Sequence, residues 1–105
     1  MSKTEISNIF AGLRKLGYTV QNFNNNKSLR GGMRNWVDSV IYNKSVFVAV
    51  EIKTKSTNDK LSEGQKDTAE KLSSLMGLNK TFHYFQIKTP AEAEILRERI
   101  LRREL

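Results

Sequence analysis

Residues 36–53, WVDSVIYNKSVFVAVEIK, decide how this chain is read. Two runs rich in β-branched and aromatic residues, Trp36–Tyr42 and Ser45–Lys53, are separated only by Asn43-Lys44, the pattern of two strands joined by a tight hairpin. Asn43 suits a turn position with positive φ, and Lys44 suits the next one less well than glycine would. Successive side chains of a strand point to opposite faces. Val46, Val48, Val50 and Ile52 therefore make one continuous β-branched face fit for a core, while Phe47, Ala49, Glu51 and Lys53 line the other. That second face begins apolar and ends in two charges, which are costly to bury without partners.

On the N-terminal side of the hairpin, Ile6, Ile9, Phe10, Leu13 and Leu16 recur at helical spacing between Thr4 and Leu16. Ser2-x-x-Glu5 fits a capping box at the start of this helix and Gly17 fits its stop. Tyr18–Phe23 reads as a short strand, and Asn24–Asn35 (NNNKSLRGGMRN) as an exposed basic loop. On the C-terminal side, the polar loop Thr54–Lys60 leads to a helix from about Ser62 to Met76, closed by Gly77, with Ala69, Leu72 and Met76 on one face. Thr81–Lys88 is a further strand. Thr89-Pro90 opens a last helix, with proline at its first position and Thr89-x-x-Glu92 as capping box. The order αβββαβα predicts an α/β fold in a single domain over residues 1–105: one small mixed β-sheet flanked by helices, with a core over about residues 4–88 and a basic C-terminal helix over about 90–104.

Composition bounds the chemistry. At 105 residues and 38% hydrophobic content, the chain can bury roughly two-thirds of its unfolded surface, enough for one core. With no cysteine there is no disulfide framework, thiolate zinc site or cysteine nucleophile. The one histidine, His83, lies on a strand among Phe82, Tyr84 and Phe85 and reads as structural rather than catalytic. No apolar run approaches the ~20 residues of a membrane span, so the chain reads as soluble and cytoplasmic, without a membrane partner. Eighteen Lys+Arg against eleven Asp+Glu give a net charge of +7 and a pI near 9.9, which favours a polyanionic partner, usually nucleic acid.

The hairpin also carries candidate chemistry. Pairing Tyr42 with Ser45 around a two-residue turn places Asp38 opposite Ala49 and diagonal to Glu51, on the face that ends in Lys53. Diagonal neighbours lie about 7–8 Å apart at the backbone, so two carboxylates there can converge on one ion. Magnesium is commonly held by one or two carboxylates together with water and substrate phosphate. Lys53 beside it could orient a water or steady charge at phosphorus. A one-residue slip of register would break this convergence. A plainer account makes Glu51 and Lys53 a solvent-exposed ion pair, Ser62-x-x-Gln65 a capping box, and Trp36 and Tyr42 packing residues.

Asp38, then Val50-Glu51-Ile52-Lys53, then Leu61-Ser62-x-x-Gln65 resembles the PD-(D/E)xK nuclease superfamily, and most of all its virus-type replication-repair nuclease (VRR-NUC) branch. The resemblance covers about Thr4 to Lys88. Val37 stands where the motif name has proline, and Arg30-Gly31-Gly32-Met33-Arg34 departs from better-known members of the branch. The resemblance implies a restriction-endonuclease-like αβββαβ core and a metal-dependent phosphodiesterase. Asp38 and Glu51 would be metal ligands, the Ile52 carbonyl a further ligand, Lys53 the catalytic lysine and Gln65 a residue of the active site. Glu5 could match an acidic residue that some members place in the first helix, though its capping box is the simpler role.

The expected activity is a Mg2+-dependent DNA endonuclease or nickase, with Mn2+ able to substitute. DNA contacts are assigned to Lys27, Arg30 and Arg34, in the loop entering the Asp38 strand, and to Lys55 and Lys60 after Lys53. A merely solvated loop is the alternative for them. Arg97, Arg99, Arg102 and Arg103 enrich the last helix, where positive charge suits the helix dipole or a second DNA grip. Ile95, Leu96, Ile100, Leu101 and Leu105 give it more apolar surface than one side needs, as a subunit interface would. One site nicks one strand; cutting both needs a homodimer or successive nicks. The alternative from another class is a catalytically silent nucleic-acid-binding module on the same fold.

Overall fold

Four strands, β1 (Thr19–Asn22), β2 (Ser39–Tyr42), β3 (Phe47–Ile52) and β4 (Phe82–Ile87), form one sheet in sequence order. This computed structural model describes residues 3–23, 36–53 and 63–105. β1 and β3 flank β2 antiparallel, whereas β3 and β4 run parallel, with Phe47 beside Phe82 and Ile52 beside Ile87. Parallel neighbours need a long crossover, and here it contains α2 (Glu63–Leu78). The chain is the small mixed α/β fold anticipated, with α1 (Lys3–Ala11) at one end and α3 (Pro90–Leu101) at the other.

The two sheet faces bury different sets of side chains. Val48, Val50 and Ile52 of β3 join Ile41 and Ile87 under α1 and α3, where Ile6, Phe10, Leu13, Leu96 and Ile100 meet them. Val46 packs against the same cluster, as the alternation requires. The opposite face carries Val40, Ala49 and Tyr84 against Ala69 and Leu72 of α2, with Trp36, Tyr42 and Met76 partly buried beside them. Tyr42, Phe47 and Phe82 stack across three strands at 5.5 and 5.7 Å between ring centroids. Trp36 and Tyr42 are thus packing residues.

Several boundaries differ from the sequence expectation. The first helix is α-helical only to Ala11 and tightens into a 3-10 turn over Gly12–Leu16 before Gly17 stops it at φ +94°. The Arg14 guanidinium, bonded to the Val20 carbonyl at 2.7 Å, holds that turn against β1. Gly77 does not close α2, which continues to Leu78. The Asn79 side chain organises the next turn instead, accepting from the Thr81 amide at 3.0 Å. The hairpin is also wider than two residues: Tyr42 pairs with Phe47, not Ser45. Asn43 Oδ1 accepts from the amides of Ser45 (2.8 Å) and Val46 (3.0 Å), closing a longer loop where Asn-Lys lacks the glycine of a tight turn.

The last helix starts as anticipated. Thr89 Oγ1 accepts from the Glu92 amide at 3.1 Å, and Glu92 Oε1 accepts from the amides of Lys88 and Thr89. Thr89→Ala should therefore lower stability by about 1 kcal/mol, read as a shift of the urea midpoint at unchanged slope. Of the apolar residues at this end of the chain, Leu96 and Ile100 are core and Leu101 and Leu105 pack against it; Ile95 is exposed.

Candidate active site

Asp38 and Glu51 are both buried, at 6% and 2% exposure, and they sit at the same end of the sheet. Glu51 closes β3, on the face that packs against α2. Asp38 occupies a bend just before β2 and is tied down from three sides. Its amide donates to the Val50 carbonyl (3.0 Å) and its carbonyl accepts from the Phe23 amide (2.8 Å). Its carboxylate Oδ2 accepts from the Ile52 amide at 2.7 Å, taking the place of the next main-chain partner along β3.

These bonds correct the expected register. The pairing is displaced by two residues, so Asp38 lies beyond the Ser39–Val50 pair, alongside Glu51 and Ile52, rather than opposite Ala49. A shift of two preserves which side chains share a face. Burial of Glu51 also removes the account of it as half of a solvent-exposed ion pair.

The backbone contributes as well. The Lys53 amide donates to the Ile87 carbonyl of β4 at 2.9 Å. Alternation along the strand then turns the Ile52 amide and carbonyl toward β2, the side on which Asp38 sits. Lys53 itself is partly buried and follows Glu51 by two positions, hence on the same face.

Two further residues belong here that the sequence reading did not single out. Parallel pairing sets Ala49 beside Tyr84 and Glu51 beside Gln86. Tyr84 is buried, and its hydroxyl hydrogen-bonds the Gln86 side chain. Burial pushes the Tyr84 hydroxyl above its ordinary pKa of 10.0; the Gln86 bond works against this, and the negative charges of Glu51 and Asp38 add to the rise. Tyr84 is accordingly a neutral hydroxyl beside two carboxylates. The signal for it was the strand–helix–strand order after Ser45, which favours parallel neighbours and fixes what alternation in β4 presents.

Gln65 lies in the first turns of α2, partly buried, on the stripe continued by Ala69, Leu72 and Met76 that faces this side of the sheet. Because β3 and β4 are parallel, α2 runs back along them and its first turns lie at the Glu51 end. Ser62, the other half of the capping box, lies outside the described residues, as do Ser2 and the assigned DNA contacts Lys27, Arg30, Arg34, Lys55 and Lys60. Glu5 is exposed on α1. His83 is on the opposite sheet face, stacked on Phe85 at 6.2 Å.

Two carboxylates and a main-chain carbonyl are oxygen donors suited to a hard divalent cation such as Mg2+, which keeps waters and substrate oxygens in its remaining positions. Among the described residues no cluster of three or more His, Cys, Asp or Glu side chains is placed to hold a metal. Among them, too, no helix is long and apolar enough to cross a membrane. The chain matches no protein-family model, no curated protein and no solved structure.

Proposed function

We propose that the chain is a metal-dependent phosphodiesterase acting on DNA, an endonuclease or nickase of the PD-(D/E)xK type that its motif resembles. The observation that carries this reading is the joint burial of Asp38 and Glu51 at the carboxyl end of β3, with the Asp38 carboxylate fixed to the Ile52 amide. Ligands of open α/β sheets bind beyond the carboxyl ends of parallel strands, which is where Glu51, Lys53 and Gln86 lie.

Asp38, Glu51 and the Ile52 carbonyl would hold Mg2+, with Mn2+ able to substitute. When bound, the cation supplies Lewis-acid polarisation of the scissile phosphate and lowers the pKa of the attacking water. The chain's own residues do the rest. Lys53 orients that water and stabilises negative charge as it develops at phosphorus. Gln65 positions the water from α2. Tyr84 and Gln86 form the floor beside Glu51 and donate hydrogen bonds without adding charge. Lys27, Arg30, Arg34, Lys55 and Lys60 would supply the DNA contacts, and the chain's net charge of +7 favours a phosphate backbone.

Incubation with supercoiled plasmid in Mg2+ should yield nicked circles first, since one chain holds one site. Linear product appearing without a nicked precursor would indicate paired subunits. Plasmid left intact in both Mg2+ and Mn2+ would sink the assignment.

A further inference from the structure

At the other end of the sheet, about five strand residues or roughly 17 Å from Glu51, lies a cavity of about 180 Å³. It opens between the β2–β3 loop, the start of β4 and the last turn of α3. Tyr18 and Ile100 wall it, joined by a hydrogen bond from the Tyr18 hydroxyl to the Ile100 carbonyl at 3.4 Å. Its polar lining includes Lys80, Arg103, His83, Asn43, Ser45 and Thr81, with no Asp or Glu side chain among the lining residues.

Three observations give this lining a sign. Neither Lys80 nor Arg103 is in an ion pair among the described residues, whereas Lys66, Lys71, Arg97 and Arg102 each are. Arg103 is also the one non-glycine described residue with positive φ, at +58°. Glycine is the usual residue just past a helix end because it adopts this conformation without strain. An arginine there is held at a conformational cost, and it lines the cavity. The C-terminal end of α3 adds partial negative charge, and because Arg102 is paired with Glu98, Arg99 and Arg103 are the cations set against it.

The volume is below the range of about 300–1,000 Å³ that holds drug-sized ligands. It suits one compact anionic group better than a whole nucleotide. We propose that this cavity is a phosphate-binding site, separate from the carboxylate site, in which Lys80 and Arg103 hold the anion and the Ser45 hydroxyl adds a hydrogen bond. The phosphate is either free or a backbone group of a nucleic acid whose remainder lies outside.

His83 is the chain's single histidine, so its ring resonances are an unambiguous probe. Burial and the Arg99 charge hold its pKa below 6.5, while a hydrogen bond to the Lys80 backbone acts in the opposite sense. Lys80, Arg99 and Arg103 are the charged groups that face it, and Tyr18 is the remaining titratable one. An anion among them raises the His83 pKa. The test is a titration of the whole chain in metal-free buffer at constant pH and ionic strength, with inorganic phosphate in one arm and a short duplex oligonucleotide in the other. A saturable shift of the His83 resonances is expected in at least one arm. Lys80→Ala and Arg103→Gly should each weaken it about tenfold or more. Arg103→Gly should leave the melting temperature unchanged or higher, because glycine relieves the +58° conformation. A shift with inorganic phosphate identifies a free-phosphate site, and one with the duplex alone a backbone contact. No saturable shift in either arm, or shifts that both variants leave intact, would overturn the proposal. Cleavage is not read at any point, so the outcome is independent of the nuclease assignment.

Discussion

Glu51→Gln and Asp38→Asn are expected to yield folded proteins whose plasmid nicking falls by at least about 10²-fold. The amide substitutions matter because Asp38 has two roles. Its Oδ2 accepts from the buried Ile52 amide at 2.7 Å, and its charge would help hold the cation. Asparagine keeps an acceptor oxygen for Ile52 and removes the charge. Alanine removes both and leaves a buried amide unsatisfied, at a cost of about 1–3 kcal/mol. Asp38→Ala should therefore lose activity and stability together, while Asp38→Asn loses activity alone. Lys53→Ala should lower nicking by about 10²–10⁴-fold, the range for a group that moves or positions a proton, with DNA binding largely retained. The measurement is the initial rate of nicked-circle formation, with circular dichroism confirming the fold of each variant. Wild-type rates in Glu51→Gln, Asp38→Asn and Lys53→Ala alike would leave no role for the site.

The elements were legible in the sequence where one residue type has one physical consequence. Alternation over residues 46–53 separated the core face from the charged face, and Thr89-Pro90 with Glu92 located the start of α3. Face parity at Asp38 and Glu51 survived an error of register because the error was an even number of residues. What was not legible depended on partners distant in sequence. The width of the hairpin is set by the Asn43 side chain closing on Ser45 and Val46, a bond that competes with tight-turn geometry and leaves no trace in hydrophobic pattern. Helix α2 passes through Gly77 because nothing local requires positive φ there, while Gly17, at +94°, does stop its helix. Tyr84 and Gln86 reach the site only through the parallel pairing of β4 with β3, which the sequence encodes as an order of elements rather than as a motif.

Metal binding gives the second large effect, and it separates the catalytic reading from that of a silent binding module on the same fold. A cation bound only by the folded state stabilises it by RT ln(1 + [M]/Kd), or about 2.7 kcal/mol at a hundredfold excess over Kd. For a domain near 100 residues, each kcal/mol moves the melting temperature by about 4–8 °C, so saturating Mg2+ or Mn2+ should raise it by about 10–20 °C. The comparison is made within each variant, with and without metal, so that any change in intrinsic stability cancels. Glu51→Gln should lose the metal-induced rise, since a neutral amide replaces one of the two buried carboxylates. Lys53→Ala should keep it, because the lysine acts on water and phosphate rather than on the cation. Calorimetry at fixed ionic strength makes the measurement, with NaCl controls for general screening of the +7 charge. A rise of the same size in wild type and Glu51→Gln would mean that the ion binds elsewhere. No rise in the wild type would favour the silent module, in which Asp38 serves only to anchor the Ile52 amide.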